Sequence, residues 1–428
     1  MKKRFLPLLL VLLAACSTLP PEAPVVPAPG TEPVPDIASR PLQVPDLSVL
    51  RETQVRPLSG RFQSVTWAAL PGWADDDLAS VWKGLVNNCK GLMRPVSGSL
   101  ALPARAAPRA WHGVCLQVQQ AGVPETAQPD TQWVREFIQT HLQPWRLLDG
   151  SGQLARNTVT GYYEPMIRAS RARGGEYQWP LYAAPDDLLT IDLGAVYPEL
   201  AGKRVRGKLE GKRVVPYDTR AQIVSGARQP PVIVWAQDPV EAFFLQIQGS
   251  GRAVLPNGET IRLAYADHNG RPYVSIGRWL ADKGEMPLAQ TSMQNIKAWA
   301  QRNPARIQEM LNANPAMVFF REEAIPDVEF GPKGSYGIPL IGGRAVAIDP
   351  AFVPLGSLVY LSTTLPASQQ PLRRLMFAQD TGAAIKGAAR TDFYWGTGEA
   401  AGNQAGRMKQ TGEMWVLWPK QAGAPSAR

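Results

Sequence analysis

Two amphipathic helices are predicted in the first third of the chain. Asp75, Asp76 and Asp77 precede apolar residues spaced three and four apart, which are Leu78, Val81, Trp82, Leu85, Val86 and Cys89. This spacing predicts a helix with one buried face, and the acids suit its N-terminus, where the helix dipole favours negative charge. A second helix is predicted from Asp130, with an apolar face formed by Trp133, Val134, Phe137 and Ile138. We interpret both faces as core.

After Thr160, short apolar runs alternate with turns rich in glycine and proline. The runs that predict strands are 232–235, 243–247, 344–348, 357–360, 375–378 and 414–418. A helical stretch is predicted from Ser292 to Leu311, with an interruption at Pro304. Many short strands with frequent turns are typical of β-barrels. The chain is therefore predicted to be mainly β, with a few α-helices.

Residues 1–15 have the pattern of a bacterial secretory signal peptide. A basic start, Lys2 to Arg4, is followed by an apolar run too short for a stable membrane span. Small residues then precede Cys16, as in the lipobox of bacterial lipoproteins, whose cysteine is lipidated. An ordinary signal peptide with a chance cysteine is the alternative. Ser17 is not acidic, which favours the outer membrane, with the chain facing the periplasm.

Residues 16–49 are predicted to be a Pro-rich tether. Nine prolines lie between Pro20 and Pro45, and such a segment favours extended polyproline II at about 3.1 Å per residue. The tether would let a folded body reach from the membrane into the cell wall. No later segment offers a long uninterrupted apolar run. A lipid on Cys16 would therefore be the membrane anchor.

Charge, cysteine and histidine content narrow the function classes. The net charge is +9, three units of which lie in the leader. This modest excess suits polyanionic cell-wall surroundings, and no clustered Lys/Arg tract indicates nucleic-acid binding. Cys89 and Cys115 can form a disulfide in an exported protein, and two separate buried thiols are the alternative. Because His112, His141 and His268 lie far apart in sequence, we predict no metal site and no cofactor.

Three aspartates in the C-terminal part are candidates for chemistry. Asp349 and Asp380 each follow a predicted apolar strand, and Asp392 is followed by three aromatic residues. An acid beside apolar residues can have a raised pKa and act as a general acid. Aromatic rings can also stack on sugars. The alternative is that these aspartates cap turns, which is the commonest role of Asp.

Asp380-Thr381-Gly382 also matches the signature of aspartic proteases. That chemistry needs two aspartates that share a proton, and the chain contains one such motif. A protease would need a homodimer or an unmatched second motif. The GxSxG motif of serine hydrolases is absent from the sequence. Both hydrolase classes are therefore disfavoured.

Four ordered motifs resemble the membrane-bound lytic murein transglycosylase A family. They are TGYYEP from Thr160, FLQIQGSGR from Phe244, DTGAAIKG from Asp380 and RTDFYWG from Arg390. The resemblance runs from about Thr160 to Trp418, and residues 337–418 resemble the family's 3D region, named for three aspartates. Ala383 departs from the glycine of many relatives, at a turn where it should remove no chemistry.

The resemblance implies a fold with two barrels. A double-psi β-barrel domain would comprise residues 50–160 and 325–420, and a second, smaller β-barrel domain, residues 161–324, would be inserted within it. The glycan would lie in a groove between the two. The change of composition at Thr160 agrees with this boundary.

The resemblance also implies an activity and its residues. The family cleaves the β-1,4 bond between N-acetylmuramic acid and N-acetylglucosamine without water, leaving 1,6-anhydro ends. Asp392 would be the single general acid and base, and Asp380 would support it. The residues expected to bind the glycan are Thr160, Tyr162, Gln248, Gly249 and Asp349, the last with a structural role as its alternative.

The implied partners are peptidoglycan glycan strands, the outer membrane through the N-terminal lipid, and other cell-wall enzymes. A non-catalytic peptidoglycan-binding lipoprotein with the same groove is the alternative function. A purely structural lipoprotein would not account for four ordered motifs.

Overall fold

The computed structural model describes residues 37–50, 58–94, 104–124, 127–193, 196–197, 205–226, 229–325, 327–382 and 384–427. The predicted leader, Cys16, most of the tether and Ala383 lie outside these residues.

Nineteen strands are present in the described residues. They are β1 (Arg61–Ser64), β2 (Leu142–Leu148), β3 (Arg156–Glu164), β4 (Met166–Ser170), β5 (Trp179–Tyr182), β6 (Leu189–Ile191), β7 (Val205–Glu210), β8 (Arg213–Pro216), β9 (Val232–Ala236), β10 (Gly251–Val254), β11 (Thr260–His268), β12 (Val318–Glu323), β13 (Phe330–Lys333), β14 (Pro339–Ile341), β15 (Ala345–Ile348), β16 (Leu358–Thr364), β17 (Pro371–Asp380), β18 (Thr391–Thr397) and β19 (Lys409–Pro419).

Nine α-helices accompany them in the same residues. They are α1 (Val81–Met93), α2 (Pro108–Gln120), α3 (Thr131–His141), α4 (Arg220–Ser225), α5 (Pro239–Gln248), α6 (Ile276–Asp282), α7 (Met293–Arg302), α8 (Ile307–Asn312) and α9 (Gly398–Ala405). The predicted mainly β class with a few helices is confirmed.

Six strands pair around a closed ring. The order is β3, β18, β15, β17, β16 and β19, and β19 pairs back with β3. The β3–β18 and β15–β17 pairs are parallel and the other pairs in the ring are antiparallel. Closure removes the exposed strand edges of an open sheet. The ring agrees with a barrel, and its double-psi connectivity stays a prediction.

A second, smaller sheet has six strands in the order β12, β11, β10, β4, β9 and β5. Its two edges approach each other, because Ala183, just after β5, forms a bridge with Phe320 of β12. Separate clusters of buried apolar residues fill the two sheets. The structure thus has two β-bodies, each with its own core.

The chain crosses between the bodies at the end of β3. Residues 156–160 of β3 pair with β19, and residues 159–164 of β3 pair with β18. The strand therefore belongs to the ring up to Glu164, a few residues past the predicted boundary at 160. Arg252 of the smaller sheet donates its backbone N–H to the Pro165 carbonyl at 2.7 Å. The allocation of whole domains stays a prediction.

The predicted helices differ in how well their starts were placed. Helix α3 begins after Asp130, whose carboxylate accepts from the backbone N–H groups of Gln132 and Trp133, as predicted. Helix α1 begins only at Val81, four residues after Asp77, so the three acids do not lie at its N-terminus as predicted. Asp76 is instead buried, and it pairs with Arg344 at 2.9 Å.

The strand predicted at 243–247 is wrong, because these residues lie in α5. Asp238 caps this helix by accepting from the N–H groups of Val240 and Glu241, and Pro239 occupies its first turn. Gly249 ends it in the left-handed conformation with φ 80°. These start and stop signals outweigh the β-branched and aromatic composition of the run.

The remaining secondary-structure predictions are confirmed. Helices α7 and α8 are separated by a short 3-10 helix that begins at Pro304, and the other five predicted runs fall within or overlap β9, β15, β16, β17 and β19. Cys89 of α1 and Cys115 of α2 form a disulfide with their Cα atoms 5.4 Å apart. Both cysteines are fully buried in the larger core.

Candidate active site

A row of side chains crosses four neighbouring strands of the ring. Thr160 of β3 stands opposite Asp392 of β18, Asp392 stands opposite Ala347 of β15, and Ala347 stands opposite Asp380 of β17. Residues directly opposite each other in a sheet point to the same face. The ring therefore brings three residues predicted from separate motifs, Thr160, Asp380 and Asp392, to one face. We call this set the carboxyl row.

A bulge between β15 and β17 sets the position of Asp380. The register shifts between Val346, which faces Ala378, and Ala347, which faces Asp380. Gln379 is the extra residue, and its buried side chain donates to Asn88 at 3.2 Å. Bulges re-aim side chains beside functional sites. Here the bulge turns Gln379 into the core and leaves Asp380 level with Asp392.

Asp392 is half-buried and has a single hydrogen-bond partner in the described residues. Its Oδ1 accepts from the Thr160 hydroxyl at 2.6 Å, and Oδ2 accepts from no described residue. Burial raises the pKa of Asp392 to about 6, while the Thr160 bond and the charge of Arg390 oppose the rise and the charge of Asp380 adds to it. A carboxyl with this pKa and an unbonded oxygen can deliver a proton.

Asp380 has the opposite arrangement, since both of its oxygens are occupied. Oδ1 accepts from the backbone N–H and the hydroxyl of Ser335 and from the N–H of Thr381, each at 2.9 Å. Oδ2 accepts from the Tyr162 hydroxyl at 3.0 Å. Burial raises the pKa of Asp380, and these hydrogen bonds oppose the rise. The Asp380 carboxyl is therefore held in place as a hydrogen-bond acceptor for Ser335, Thr381 and Tyr162.

Tyr162 lies on β3, close enough to both carboxyls for their charges to affect its phenol. Burial, together with the charges of Asp380 and Asp392, raises the pKa of its phenol well above the ordinary value. The phenol therefore stays protonated and donates to Asp380. Its ring lies 5.1 Å from that of Tyr394, centre to centre. Tyr162 thus holds Asp380 in place.

The smaller body contributes the end of α5 to this region. The Gln248 side-chain oxygen accepts from the backbone N–H of Tyr163 at 3.3 Å. Gly249 follows it, and a Cβ added there would meet no atom within 4 Å. The two predicted residues therefore lie beside β3 with open space at the glycine.

Asp349 lies at the end of β15 and is buried. Its oxygens accept from the backbone N–H groups of Ala351 at 3.1 Å and Gly387 at 2.8 Å. These bonds tie two loops together. The arrangement favours the structural role that the sequence left open over direct glycan contact.

Gly161 is required because Trp395 and helix α9 pack closely against β3 at this position. A Cβ at this position would lie 2.7 Å from the Trp395 side chain and 2.8 Å from the Ala405 backbone. Helix α9 therefore packs directly on β3 between Thr160 and Tyr162. The glycine of the TGYYEP motif is explained by this contact.

Sequence reasoning missed several residues of the site. Ser335 holds Asp380, and Arg390 donates to the Thr160 hydroxyl at 3.0 Å. Arg390 directly precedes Thr391 and Asp392 in the RTDFYWG motif, so its proximity to Asp392 could have been predicted from the sequence. Ser335 lies 45 residues before Asp380, and no local pattern indicated their contact.

A buried ionic cluster, formed by Glu164, Arg252 and Arg262 and here called the junction cluster, was also missed. Glu164 is fully buried, and its oxygens accept from Arg252 and Arg262, each at 2.8 Å. Thr397 of β18 donates to Glu164 at 2.9 Å, and both arginines donate to the Phe330 carbonyl. The cluster joins β3 and β18 to β10 and β11, across the two bodies.

A proton-sharing dyad of Asp380 with Asp392, as in aspartic proteases, does not fit this geometry. Asp380 and Asp392 lie on strands that flank β15, so their Cα atoms are about 10 Å apart, two strand spacings. A dyad that shares one proton needs its carboxyls in contact. In the described part of the chain, no group of three or more His, Cys, Asp or Glu is arranged to hold a metal ion.

The two β-bodies and the carboxyl row define a class of two-body β-proteins with acid groups suited to proton transfer. The family described as "MltA specific insert domain" matches residues 158–321, and the "3D domain" family matches residues 344–418. The matches cover the smaller body and the part of the ring that carries both aspartates.

Curated and solved relatives agree with these matches. Membrane-bound lytic murein transglycosylase A of Escherichia coli K12 is 31% identical over 296 residues, which is 67% of this chain and 72% of that protein. The crystal structure of MltA from Neisseria gonorrhoeae, monoclinic form, has a TM-score of 0.74 at 37% identity, covering 92% and 99% of the two chains. The chain belongs to the membrane-bound lytic murein transglycosylase A family.

A further solved structure carries a sugar. Escherichia coli MltA with bound chitohexaose has a TM-score of 0.57 at 27% identity, covering 85% of this chain and 95% of that one. That protein therefore holds an oligosaccharide on a fold similar to this one.

Proposed function

We propose that this chain is a peptidoglycan lytic transglycosylase in which Asp392 alone is the general acid and base. Family membership and the names of the relatives support the activity. The observation that carries the role of Asp392 is its environment, a half-buried carboxyl with a pKa of about 6 and an unbonded Oδ2.

The reaction needs one carboxyl because the nucleophile belongs to the substrate. Protonated Asp392 gives its proton to the glycosidic oxygen as the bond from C1 of the muramic residue to that oxygen breaks. The C6 hydroxyl of the same residue then forms a bond to C1, and its proton passes to the Asp392 carboxylate. The acid is regenerated, no water is consumed, and the products are a 1,6-anhydro end and a free N-acetylglucosamine hydroxyl.

The state of Asp380 supports the single-carboxyl mechanism. A hydrolase that activates water or forms a covalent intermediate uses two free carboxyls beside the scissile bond. Both Asp380 oxygens are occupied by Ser335, Thr381 and Tyr162. Asp380 is therefore suited to support Asp392 by its charge, which raises the pKa of Asp392.

The glycan is proposed to lie along β3 between the two bodies. Thr160 and Tyr162 border the carboxyl row there, and Gln248 and Gly249 lie on the side of the smaller body. The open space at Gly249 leaves room for a sugar close to the backbone. Ring faces and amide groups of this kind suit the apolar and hydroxyl surfaces of sugars.

The test compares Asp392→Asn with Asp380→Asn on purified sacculi. Asn keeps the shape of Asp392 and cannot transfer the proton, so we expect a loss of at least about 10³-fold. Asp380→Asn should lose less. Sedimentation with sacculi should remain near normal for both, which separates chemistry from binding. Near-normal cleavage by Asp392→Asn would contradict the proposed role, and absence of cleavage by the unmodified chain would favour the non-catalytic alternative.

Membrane attachment is proposed to come from a lipid on Cys16, which lies outside the described residues. The relatives' names include "membrane-bound". Among helices of the described residues, none is long and apolar enough to span a bilayer. We propose an outer-membrane anchor with the folded part in the periplasm. Metabolic labelling with palmitate tests this: the unmodified chain should carry the label and Cys16→Ala should not, and equal labelling of both would contradict the assignment.

A further inference from the structure

The three-stranded sheet of β6, β7 and β8 has one apolar face and one polar face, and the polar face is the one that packs on the rest of the protein. Successive residues of a strand point to opposite faces, and the register places one set together. The members of this set are all apolar or glycine: Leu189, Ile191, Val205, Gly207, Leu209, Val214 and Pro216. We call them the apolar face. The opposite face carries most of the sheet's polar side chains.

The polar face is the one that packs on the smaller body. Arg206 is 7% exposed and pairs with Asp267 of β11 at 2.8 Å. Lys208 pairs with Asp218 at 2.8 Å. A Cβ at Gly270 would lie 2.6 Å from that of Arg206. These contacts fix the orientation of the sheet, so its apolar face points away from the body.

The apolar face is open to solvent. Leu209 is 62% exposed and its cross-strand partner Val214 is 50% exposed. The turn after β6 also exposes Val196 at 71% and Tyr197 at 50%. An apolar face of a sheet normally covers a core, and a contiguous exposed one marks an interaction surface.

The hairpin tip next to this face is basic, with Arg213 on the opposite face by register. Lys212 and Arg213 lie at the exposed tip of the β7–β8 hairpin and form no ion pair with any described residue. The acid at the tip, Glu210, is within 3.5 Å of Lys208. Exposed aliphatic side chains next to exposed basic residues match the interface of a bilayer with anionic lipids.

The length of the N-terminal chain is compatible with this occupant. Ile37, the first described residue, follows Cys16 by 21 positions, which span at most about 75 Å when fully extended. A chain anchored at Cys16 would therefore keep its body within reach of the membrane. We propose that the apolar face of β6, β7 and β8 docks on an anionic phospholipid surface, as a second membrane contact independent of the lipid. This proposal does not rest on the assignment of Asp392.

The experiment uses the mature full chain with Cys16→Ser, so that no acyl chain contributes. Binding is measured by sedimentation with vesicles of phosphatidylethanolamine and phosphatidylglycerol, and with vesicles of phosphatidylcholine alone. The test variant is Leu209→Ser with Val214→Ser. The matched control is Val49→Ser with Val328→Ser, which are 70% and 74% exposed elsewhere on the molecule. Lys212→Gln with Arg213→Gln tests the charge contribution.

We expect the chain to bind anionic vesicles more tightly than phosphatidylcholine vesicles. The Leu209/Val214 variant should bind on the order of tenfold more weakly, the control variant should bind as the parent does, and the Lys212/Arg213 variant should lose the preference for anionic lipid. Cleavage of soluble glycan should be unchanged in all of them. Equal vesicle binding by parent and Leu209/Val214 variant would overturn the proposal. A dimer in sedimentation velocity that this variant converts to monomer would also overturn it, since a second copy would then cover the face.

Discussion

The carboxyl row and the junction cluster place two acids in opposite electrostatic surroundings. Glu164 is fully buried and contacts two arginines at 2.8 Å each. Asp392 of β18 faces Thr160, which lies four residues before Glu164 on β3, and its carboxyl contacts only a hydroxyl. Arg390 donates to the same Thr160 hydroxyl, and its charge lowers the pKa of Asp392. One acid is neutralised by ion pairs and the other is not.

The difference separates structural from reactive acids in this fold. A buried carboxylate with two arginine partners is held by ion pairs and joins the two bodies. A carboxyl with only neutral partners has a raised pKa and can exchange its proton. The family match alone would not distinguish the two, because Glu164 and Asp392 both lie in its motifs.

Glu164→Gln should produce the largest stability change. Removal of the charge leaves two buried arginines without a counter-ion, so the free energy of unfolding should fall by about 3–5 kcal/mol. The matched control is Glu322→Gln, which breaks an exposed pair with Arg171 at 2.6 Å and should cost about 1 kcal/mol or less. Urea unfolding of both variants measures the contrast. Equal losses would show that the junction cluster does not hold the bodies together.

Asp392→Asn should change stability in the other direction. The folded pKa of about 6 exceeds the ordinary value, so the folded protein holds this proton while the unfolded chain releases it. Asp392 therefore costs stability progressively as pH rises from about 4 to 6. The neutral Asn removes this cost. Melting temperatures of parent and variant should be close at pH 4 and should favour the variant at pH 7.5; a variant that is less stable at pH 7.5 would contradict the assignment.

The pH dependence of cleavage should give the smallest and most specific effect. Because the first step needs protonated Asp392, kcat/KM should decline as pH rises through about 6. Asp380→Asn removes a charge that raises the pKa of Asp392, so the decline should move to lower pH. Arg390→Gln removes a charge that lowers this pKa, so the decline should move to higher pH. Shifts of the same sign in both variants would rule out these electrostatic roles.

The sequence predicted β15 and β17, which lead to Asp349 and Asp380, because local signals specify them, but it did not predict β18, which carries Asp392. Apolar runs bounded by glycine and proline identified β15, β17 and β19, and Asp130 identified the start of α3. The strand prediction for 243–247 was wrong because the aromatic and β-branched composition of the run was given more weight than the helix start signal at Asp238 and Pro239. The burial of Asp76 was not predicted because its partner, Arg344, is 268 residues away in sequence.

The candidate site was predictable as a set of residues but not as an arrangement. The motifs supplied Thr160, Asp380 and Asp392, and strand pairing brought them to one face. The bulge at Gln379 and the contacts of Ser335 depend on long-range packing, which no local pattern reports. The junction cluster was hidden for the same reason, although Glu164 and Arg252 both lie within quoted motifs.

The central claim is that one carboxyl suffices because the substrate supplies the nucleophile. Mass spectrometry of the soluble products from purified sacculi tests it directly. The account predicts muropeptides that end in 1,6-anhydromuramic acid, each lighter by one water than the reducing-end form, with Asp392→Asn releasing neither. Reducing-end muramic acid as the main product would contradict it, since water would then be the nucleophile and a second carboxyl would be required.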